Sequence, residues 1–472
     1  MKTGFPAFHL RRWFVPLGCA AALLLGCQST RPRPPPSAGS MPASFHGGLP
    51  GDGGAAAQAI GPRWWELFHD PALSGLVLRA LEANRDLRVA DAQVREARAL
   101  WIAADVDRGP AVHAGAEYRR QHQPPDEKNK DALVDQFVVS GFDASWEADL
   151  FGRIRSLATA AHASLEAETA ARNDLAITVA AEVARNYFEL RGRQQLEAGL
   201  RRSIELRTTE VDLDGRRAAL GVANLRDIVA ARQDLARAKA DLGDAETAIT
   251  RAIQRLGVLT AQPADAVDPA AGASVRPDDE PAAIAPGTPA ELLRRRPDIR
   301  EAEQELVASS ASEDAAKADL MPRLTFNGQL SFFAFGWGVG PNLTWDVFDR
   351  RRVNARHDQA SARADAAFAH YQQTVMTAVE EVENALANLQ AARDRRAALR
   401  SAREEASRPA DFARRRAELG VSNRMEIVTA EQAEADAAGA LAVQEAVVRE
   451  AWVAVFKALG GGWTAPEAAP GV

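Results

Sequence analysis

The chain has 472 residues, of which 46% are hydrophobic, and its formal net charge at pH 7 is −7. This length predicts two or three domains, and the negative charge argues against a nucleic-acid-binding protein. The only two cysteines, Cys19 and Cys27, lie close to the N-terminus, so a disulfide framework in the rest of the chain is excluded.

The first 26 residues have the organisation of a bacterial signal peptide. A basic beginning precedes an apolar run at positions 13–25, which is too short to span a membrane comfortably. The tetrapeptide Leu24-Leu25-Gly26-Cys27 resembles a lipobox, and this resemblance implies that Cys27 becomes the lipid-modified first residue of the mature chain. Gln28 follows where an Asp would imply retention in the inner membrane, so the resemblance implies the outer membrane. The alternative is an ordinary cleaved signal in which Cys27 is incidental.

Residues 27–60 are predicted to be a linker, because a segment so rich in Pro, Gly and Ala buries too little apolar surface to fold. After a lipid anchor, this linker would tether the folded body to a membrane. The folded body is predicted to begin near Trp64. Asp70 and Pro71 are the residue types preferred at the N-cap and the first position of a helix, and a second helical segment is predicted over 86–107.

The hydrophobic period then changes from that of a helix to that of a β-strand. The alternation predicts strands at 111–119 and 138–149, and again at 323–331 and 339–347. Each predicted strand has one apolar face and one polar face. The apolar faces contain Val138, Phe142, Trp146, Leu324, Phe326 and Leu330, and the polar faces contain Asp143, Glu147, Arg323 and Asn327.

A long helix is predicted over 152–219, because this segment contains no Pro and little Gly. Gly221 can adopt the left-handed conformation that ends a helix, Asn224 is a favourable N-cap, and Asp227 places an acid in the next helical turn. The pattern predicts a tight helical hairpin that returns to about residue 257. The same spacing recurs 199 residues later with Gly420, Asn423 and Glu426, and the glycines are flanked by Leu220, Val222, Leu419 and Val421.

This recurrence indicates an internal two-fold repeat in the sequence. Residues 61–260 form the first copy, which contains a helix, a β-hairpin and a long helical hairpin, and residues 291–460 form the second copy. Residues 261–290 are predicted to link the copies, and residues 461–472 are predicted to be a loose C-terminal tail. The expected fold is mostly α-helical with a smaller β-part.

Four amphipathic strands of this length predict part of a transmembrane β-barrel. Four strands are too few to close a barrel. An open sheet edge is not tolerated in lipid, because its N–H and C=O groups have no partner there. The strands are therefore expected to close against other copies of the chain. The alternative is two small sheets packed on helices outside a membrane.

Several motifs resemble those of the outer-membrane efflux protein family. They are Trp64-Trp65-Glu66-Leu67-Phe68-His69-Asp70-Pro71, Asp149-Leu150-Phe151-Gly152-Arg153-Ile154-Arg155, Leu293-Arg294-Arg295-Arg296-Pro297-Asp298-Ile299-Arg300 and Ala378-Val379-Glu380-Glu381-Val382-Glu383-Asn384-Ala385-Leu386. The chain looks most like the NodT-type lipoproteins of this family, which are related to OprM and TolC, and the resemblance covers about residues 60–460. One departure follows the fourth strand, where relatives often have Gly-Gly and this chain has Arg350-Arg351.

The resemblance implies a homotrimer in which a 12-stranded β-barrel in the outer membrane continues into a 12-helix α-barrel in the periplasm. It also implies a passive exit duct for drugs or small molecules in a tripartite pump, with a periplasmic adaptor protein and an inner-membrane transporter of the RND class. One alternative is a TolC-like duct for protein secretion. Another is a coiled-coil structural lipoprotein that spans the periplasm, although such a tether needs no alternating strands.

The two hairpin tips, Leu220–Val222 and Leu419–Val421, are predicted to be the adaptor-docking and gating surface. Leu and Val flank the glycine in both tips, whereas a solvated turn needs no apolar residues; the alternative is that the tips are only turns. The polar strand residues Asp143, Glu147, Arg323 and Asn327 are expected to face the lumen. The sequence contains no metalloprotease motif, P-loop or metal-spaced Cys/His set, which predicts a protein without catalytic, cofactor or metal sites.

Overall fold

The computed structural model describes residues 42, 44–46, 61–123, 133–222, 224–267, 281, 287–332, 335–421 and 423–462. The predicted lipidation site Cys27, most of the linker 27–60 and the tail beyond residue 462 lie outside the described residues. The described chain packs into two compact units. The strand unit contains residues 107–159 and 309–364, and the helical unit contains the described parts of 36–106, 160–308 and 365–472.

The strand unit contains a four-stranded antiparallel sheet with the strand order β1-β2-β3-β4. The strands are β1 (Ala111–Gln123), β2 (Leu133–Ala148), β3 (Arg323–Ser331) and β4 (Gly336–Thr344). The four strands predicted from alternation are present, but β4 lies at 336–344 instead of 339–347, and β1 and β2 are longer than predicted, with 13 and 16 residues. Strand β4 ends at Thr344 because Thr344 pairs with Arg323, the first residue of β3. The end added to β1 is polar and the end added to β2 mixes apolar and polar residues, so main-chain pairing extends both strands beyond the alternating pattern.

The central pair of strands, β2 and β3, joins segments that are far apart in the sequence. A Cβ atom at Gly141 of β2 would lie 2.0 Å from the carbonyl oxygen of Leu330 on β3. Because no side chain fits that space, Gly141 permits the close approach of the two strands. The sheet therefore joins the hairpin β1–β2 to the hairpin β3–β4.

Helices account for most of the described chain. After a short 3-10 helix (Trp64–Phe68) they are α1 (Pro71–Ala83), α2 (Arg85–Val106), α3 (Arg153–Ala219), α4 (Leu225–Leu259), α5 (Pro289–Arg295), α6 (Pro297–Ala318), α7 (Arg350–Glu418) and α8 (Arg424–Ala458). The longest helices, α3 and α7, have 67 and 69 residues, which corresponds to about 100 Å each. The predicted helical hairpins α3–α4 and α7–α8 are confirmed, with ends within one or two residues of those predicted.

Asp70 shows why α1 begins where it does. Its carboxylate accepts hydrogen bonds from the backbone N–H groups of Ala72 at 2.9 Å and Leu73 at 3.2 Å, as predicted for an N-cap. The other carboxylate oxygen accepts a bond of 2.6 Å from the hydroxyl of Tyr187 on α3. Burial raises the pKa of Tyr187 far above its usual value, and the bond to Asp70 adds to the rise. One buried carboxylate thus caps α1 and joins it to α3.

The core of the helical unit is aromatic where the 3-10 helix meets α3 and α8. Trp64 stacks on Phe456 with ring centroids 5.0 Å apart, and Phe68 packs against Phe188 at 4.8 Å. Trp452 lies 5.8 Å from Phe456. All five side chains are buried. The 3-10 helix therefore packs against both α3 and α8.

Arg296 connects three helices from the junction between α5 and α6. Its guanidinium donates to the carboxylate of Asp298 at 3.0 and 2.6 Å, to that of Glu381 on α7 at 2.7 Å, and to the carbonyl oxygen of Ala458 on α8 at 3.0 Å. Only 7% of Arg296 is exposed. Burial alone would lower the pKa of Arg296, but the two carboxylates raise it above its usual value.

Two partly buried carboxylates of the helical unit have raised pKa values. Burial raises the pKa of Glu301 to about 7, and the charges of Glu305 and Asp174 add to the rise. Burial likewise raises the pKa of Glu450 to about 7, with a further contribution from Glu189. Both groups gain and lose protons near neutral pH, so part of the stability of the helical unit depends on pH.

Candidate functional site

The first hairpin tip joins α3 to α4. Gly221 has a φ of +73°, the left-handed conformation that glycine adopts without strain. Its N–H donates to the carbonyl oxygen of Ala218, and the N–H of Val222 donates to that of Arg217, both at 2.9 Å, in the Schellman arrangement. Leu220 is 78% exposed and Val222 is 65% exposed. The main chain closes this turn, so the two apolar side chains are not needed to close it.

The second hairpin tip, between α7 and α8, repeats this geometry. Gly420 has a φ of +74°, and the N–H of Val421 donates to the carbonyl oxygen of Arg416 at 2.9 Å. The side chain of Arg416 in turn donates to the carbonyl oxygen of Val421 at 3.0 Å and to Glu426 at 2.8 Å, bracing the turn. Leu419 is 77% exposed and Val421 is 60% exposed. The two tips therefore share a conformation as well as a sequence pattern.

Asparagine caps the returning helix in both hairpins. The side chain of Asn224 accepts from the N–H of Arg226 at 3.2 Å, and the backbone N–H of Asn224 donates to Asp227 at 3.4 Å, which completes a capping box. The side chain of Asn423 accepts from the N–H of Met425 at 3.0 Å. The predicted N-caps Asn224 and Asn423 are thus observed, and each orients its returning helix directly after a tip.

Polar side chains join the two hairpins near the tips. The inter-hairpin seam consists of Arg202, Arg207 and Glu210 of α3 and Glu431, Gln432 and Asp436 of α8. Arg202 binds Glu431 at 2.9 Å, Arg207 binds Asp436 at 3.0 Å, and Gln432 donates to Glu210 at 2.8 Å. Farther from the tips, α3 and α8 approach so closely that a Cβ atom on Gly199 would lie 3.9 Å from the Cα atom of Gly439. The seam is not evident from the sequence, because no local pattern indicates which charges pair between distant helices.

One face of the sheet carries the four polar residues predicted to share a face. Asp143 of β2 lies opposite His113 on β1 and Gln329 on β3. Asn327, Glu147 and Arg323 fall on the same face, because side chains alternate along paired strands. The carboxylate of Glu147 also accepts from Arg153 at 2.9 Å at the start of α3.

The opposite face of the sheet is apolar and exposed. Phe142 lies opposite Leu330, and Trp146 lies opposite Phe326. The rings of Trp146 and Phe326 are stacked with centroids 5.9 Å apart, and the indole N–H donates to the carbonyl oxygen of Arg108 at 3.0 Å. Phe142, Trp146 and Phe326 are exposed on this face. Large apolar side chains that share an exposed face indicate a surface that another apolar phase covers.

The outer edges of the sheet are open. In the described part of the chain, β1 pairs only with β2 and β4 pairs only with β3. Each outer edge therefore presents main-chain N–H and C=O groups that no strand of the described residues satisfies.

Metal-binding clusters and membrane-spanning helices are absent from the ranges that the structure describes. No group of three or more His, Cys, Asp or Glu side chains there is arranged to hold a metal ion. Within the same ranges, none of the helices combines the length and the apolar character needed to cross a membrane.

Comparison with known proteins gives consistent matches along the chain. The family described as outer membrane efflux protein matches residues 76–262 and 288–461. Outer membrane protein OprJ of Pseudomonas aeruginosa is 33% identical over 463 residues, which cover 94% of each chain. The toluene efflux pump outer membrane protein TtgC of Pseudomonas putida is 30% identical over 422 residues, or 85% of each chain.

A solved structure has a similar fold. The outer-membrane channel OprN superposes with a TM-score of 0.79 at 33% sequence identity, and the match covers 93% of this chain and 99% of that chain. Each of the two ranges matched by the family contains one pair of strands and one hairpin tip.

Proposed function

The chain belongs to the outer membrane efflux protein family, and from this membership we propose that it is the homotrimeric exit duct of a tripartite efflux pump. It is an efflux protein of the bacterial outer membrane, and its family is one of channels. The observation that carries the proposal of a closed duct is the sheet, which combines an exposed apolar face with two open edges.

The open edges support assembly of several copies. If β4 of one copy pairs with β1 of the next, every edge is satisfied, as lipid requires. Three copies would give a 12-stranded β-barrel, and the four long helices of each copy would give a 12-helix α-barrel. The mass of the detergent-purified protein, measured by native mass spectrometry, is expected to equal that of three chains. A membrane-inserted monomer would contradict this assembly.

The two faces of the sheet are assigned to lipid and lumen by polarity. Phe142, Trp146 and Phe326 would contact lipid, while Asp143, Glu147, Arg323 and Asn327 would line the lumen. Trp146→Arg should destabilise insertion by about 2–4 kcal/mol if the side chain lies near mid-bilayer. Asn327→Asp, which also adds a charge but on the polar face, is the matched control and should insert normally. Equal insertion of the two variants would refute the assignment.

The hairpin tips are assigned to the periplasmic adaptor, and through it to an inner-membrane RND-type transporter. The turns are closed by main-chain bonds, yet Leu220, Val222, Leu419 and Val421 are exposed. A Cβ atom on Gly221 or Gly420 would meet no atom of the described residues within 4 Å, so the backbone there is open to close approach by another chain. Apolar contacts at the tips could be exchanged for adaptor contacts while the hairpins move apart.

The tip assignment has a direct test in cells. Gly420→Trp and Val421→Asp should abolish efflux while leaving trimer assembly and membrane insertion unchanged. Cysteines at positions 221 and 420 should cross-link to the adaptor, and a cysteine replacing exposed Arg237 on α4 is the control. If the tip variants pump normally, or if only the control position cross-links, the tips are structural turns.

The N-terminal region is assigned to export and anchoring. Residues 1–26 would be removed as a signal peptide, and Cys27 would carry lipid at the start of the linker 27–60. Mass spectrometry of the purified protein should find a lipid-modified Cys27 with no residues before it. Cys27→Ser should weaken tethering more than folding. An unmodified N-terminus at another residue would contradict the assignment.

The cargo is proposed to be small molecules, because a relative of similar length is named as a toluene efflux pump component. Deletion of the gene should increase sensitivity to toluene and to hydrophobic drugs, and the intact gene should restore resistance. Protein secretion should be unchanged. Loss of a secreted protein without a change in resistance would instead favour a secretion duct.

A further inference from the structure

The connection from β4 to α7, here called the second elbow (residues 345–352), exposes an unusual amount of apolar surface. Phe348 is fully exposed, and Trp345 and Val347 are also exposed. The indole N–H of Trp345 donates to the carbonyl oxygen of Leu320 at 3.1 Å, so its polar atom is satisfied while its ring remains exposed. Leu343, which lies opposite Leu324 on the apolar face, precedes this segment in β4. The apolar face of the sheet therefore continues into the second elbow.

The same elbow carries arginines in an unfavourable position. Helix α7 begins at Arg350, and the positive end of a helix dipole disfavours cations in the first turn. Asp349 pairs with Arg352, but Arg350 and Arg351 are exposed and form no ion pair with any described residue. Residues 350–363 contain five arginines and a single acid, Asp358. Besides Asp349, the second elbow contains only one other acidic residue, Asp346.

The equivalent connection in the first copy, the first elbow (residues 149–155), shows the opposite arrangement. There, Arg153 binds Glu147 at 2.9 Å and Arg155 binds Asp149 at 3.2 Å. Its arginines are therefore neutralised within the chain. The second elbow holds three consecutive arginines at the corresponding point of the repeat. Asp349 pairs there with Arg352, which leaves Arg350 and Arg351 without an ion-pair partner among the described residues.

We propose that the second elbow binds anionic phospholipid head groups at the membrane surface, with Arg350 and Arg351 on the phosphates and Phe348 and Trp345 at the boundary of the acyl chains. This inference rests on the proposed function, because it requires the apolar face of the sheet to contact lipid. Guanidinium groups match phosphate oxygens in a bidentate geometry. Aromatic residues that adjoin a basic cluster have the composition of a membrane-interface segment. The exposed aromatic ring distinguishes a lipid surface from free phosphate, which offers no apolar phase.

The test compares lipid binding by the full-length protein and by Arg350→Gln/Arg351→Gln. Association constants for individual phosphatidylglycerol and phosphatidylcholine molecules can be measured by native mass spectrometry. Each arginine near an anionic surface contributes about fivefold to binding, so the double variant should lose roughly 25-fold in its preference for phosphatidylglycerol. Arg350→Lys/Arg351→Lys should retain most of it. Arg232→Gln/Arg237→Gln on α4 removes the same charge elsewhere and should change nothing.

Conductance in planar bilayers separates this inference from the proposed function. If wild type and the Gln variant both form conducting channels but prefer phosphatidylglycerol equally, lipid recognition by the elbow is refuted and the duct stands. If the Gln variant instead lowers the stability of the oligomer without changing lipid preference, the elbow contacts a second copy and the inference also fails. Binding of inorganic phosphate equal to that of phosphatidylglycerol would likewise overturn it. A wild-type protein that forms no channels would refute the proposed function itself.

Discussion

Replacing Arg296 should destabilise the helical unit more than any comparable change on the surface. Arg296→Met keeps much of the side-chain volume but removes every donor. The variant leaves the carboxylates of Asp298 and Glu381 without their shared cation, and it leaves the carbonyl oxygen of Ala458 without the Arg296 donor. Three helices lose a common contact at once, because Glu381 lies on α7 and Ala458 lies on α8.

The expected magnitude follows from how exposed each partner is. Breaking a fully buried ion pair costs about 3–5 kcal/mol, and leaving a buried carbonyl unsatisfied costs about 1–3 kcal/mol. The side chain of Glu381 is 51% exposed and that of Asp298 is 26% exposed, so water replaces part of what they lose. We expect a loss of about 3 kcal/mol for Arg296→Met. Arg296→Lys keeps the charge but not the forked geometry and should lose about half as much.

Urea unfolding of the detergent-solubilised protein would measure this loss, with hydrogen exchange in α6 as a local readout. Arg294→Met, which alters an exposed arginine two residues earlier, is the control and should change stability by about 0.5 kcal/mol or less. If Arg296→Met is no more destabilising than Arg294→Met, the three-helix connection does not contribute as argued.

Three further outcomes can be measured. The pKa of Glu301 is about 7 in the folded protein, against an ordinary value of 4.5. The stability that the protonated Glu301 contributes is therefore present below pH 4.5 and is lost as the pH rises through 7. In denaturant titrations, Glu301→Gln should stabilise the protein by about 1 kcal/mol at pH 8 and should not stabilise it at pH 4. Gly420→Ala should lower the stability of the second hairpin by about 1 kcal/mol, because Gly420 has a positive φ. Gly215→Ala inside α3 should instead raise the stability of its helix by about 0.5–1 kcal/mol. Hydrogen exchange would measure both changes. Asn224→Ala should lower the local free energy of opening in the first turn of α4 by about 1 kcal/mol, measured as faster hydrogen exchange there.

The elements that the sequence predicted well are those with strong local signals. The turns at Gly221 and Gly420 combine a glycine that tolerates positive φ with an asparagine cap, and both signals act within a few residues. The strand at 323–331 was located correctly, because strict alternation distinguishes a strand from a helix over that length. The ends of β1 and β2 were missed, because main-chain pairing extends the strands into residues without an alternating pattern.

Contacts between distant elements could not be predicted in this way. Arg202 and Glu431 are separated by 229 positions, and Arg296 and Glu381 by 85. Each helix carries many arginines and acids on its exposed faces, so composition alone does not specify which of them meet. The charge difference between the two elbows was visible as Arg350-Arg351 in the sequence. Its meaning required the structure, which shows that Arg153 and Arg155 are both paired in the first elbow. In the second elbow Arg352 is paired, whereas Arg350 and Arg351 form no ion pair with a described residue.

Different contacts hold α3 and α8 together along their length, and the difference determines where the two helices separate at the lowest cost. Next to the 3-10 helix, α3 and α8 are held by buried aromatic rings such as Phe188, Trp452 and Phe456, whose separation would expose a large apolar area. Toward the tips, the same two helices are joined by the ion pairs of the inter-hairpin seam. In each pair one side chain is more than half exposed, so each pair contributes about 0–1 kcal/mol. Water can replace such pairs when the helices separate. Local opening therefore costs least at the tips, where an adaptor could shift the equilibrium with few contacts, and most at the aromatic core.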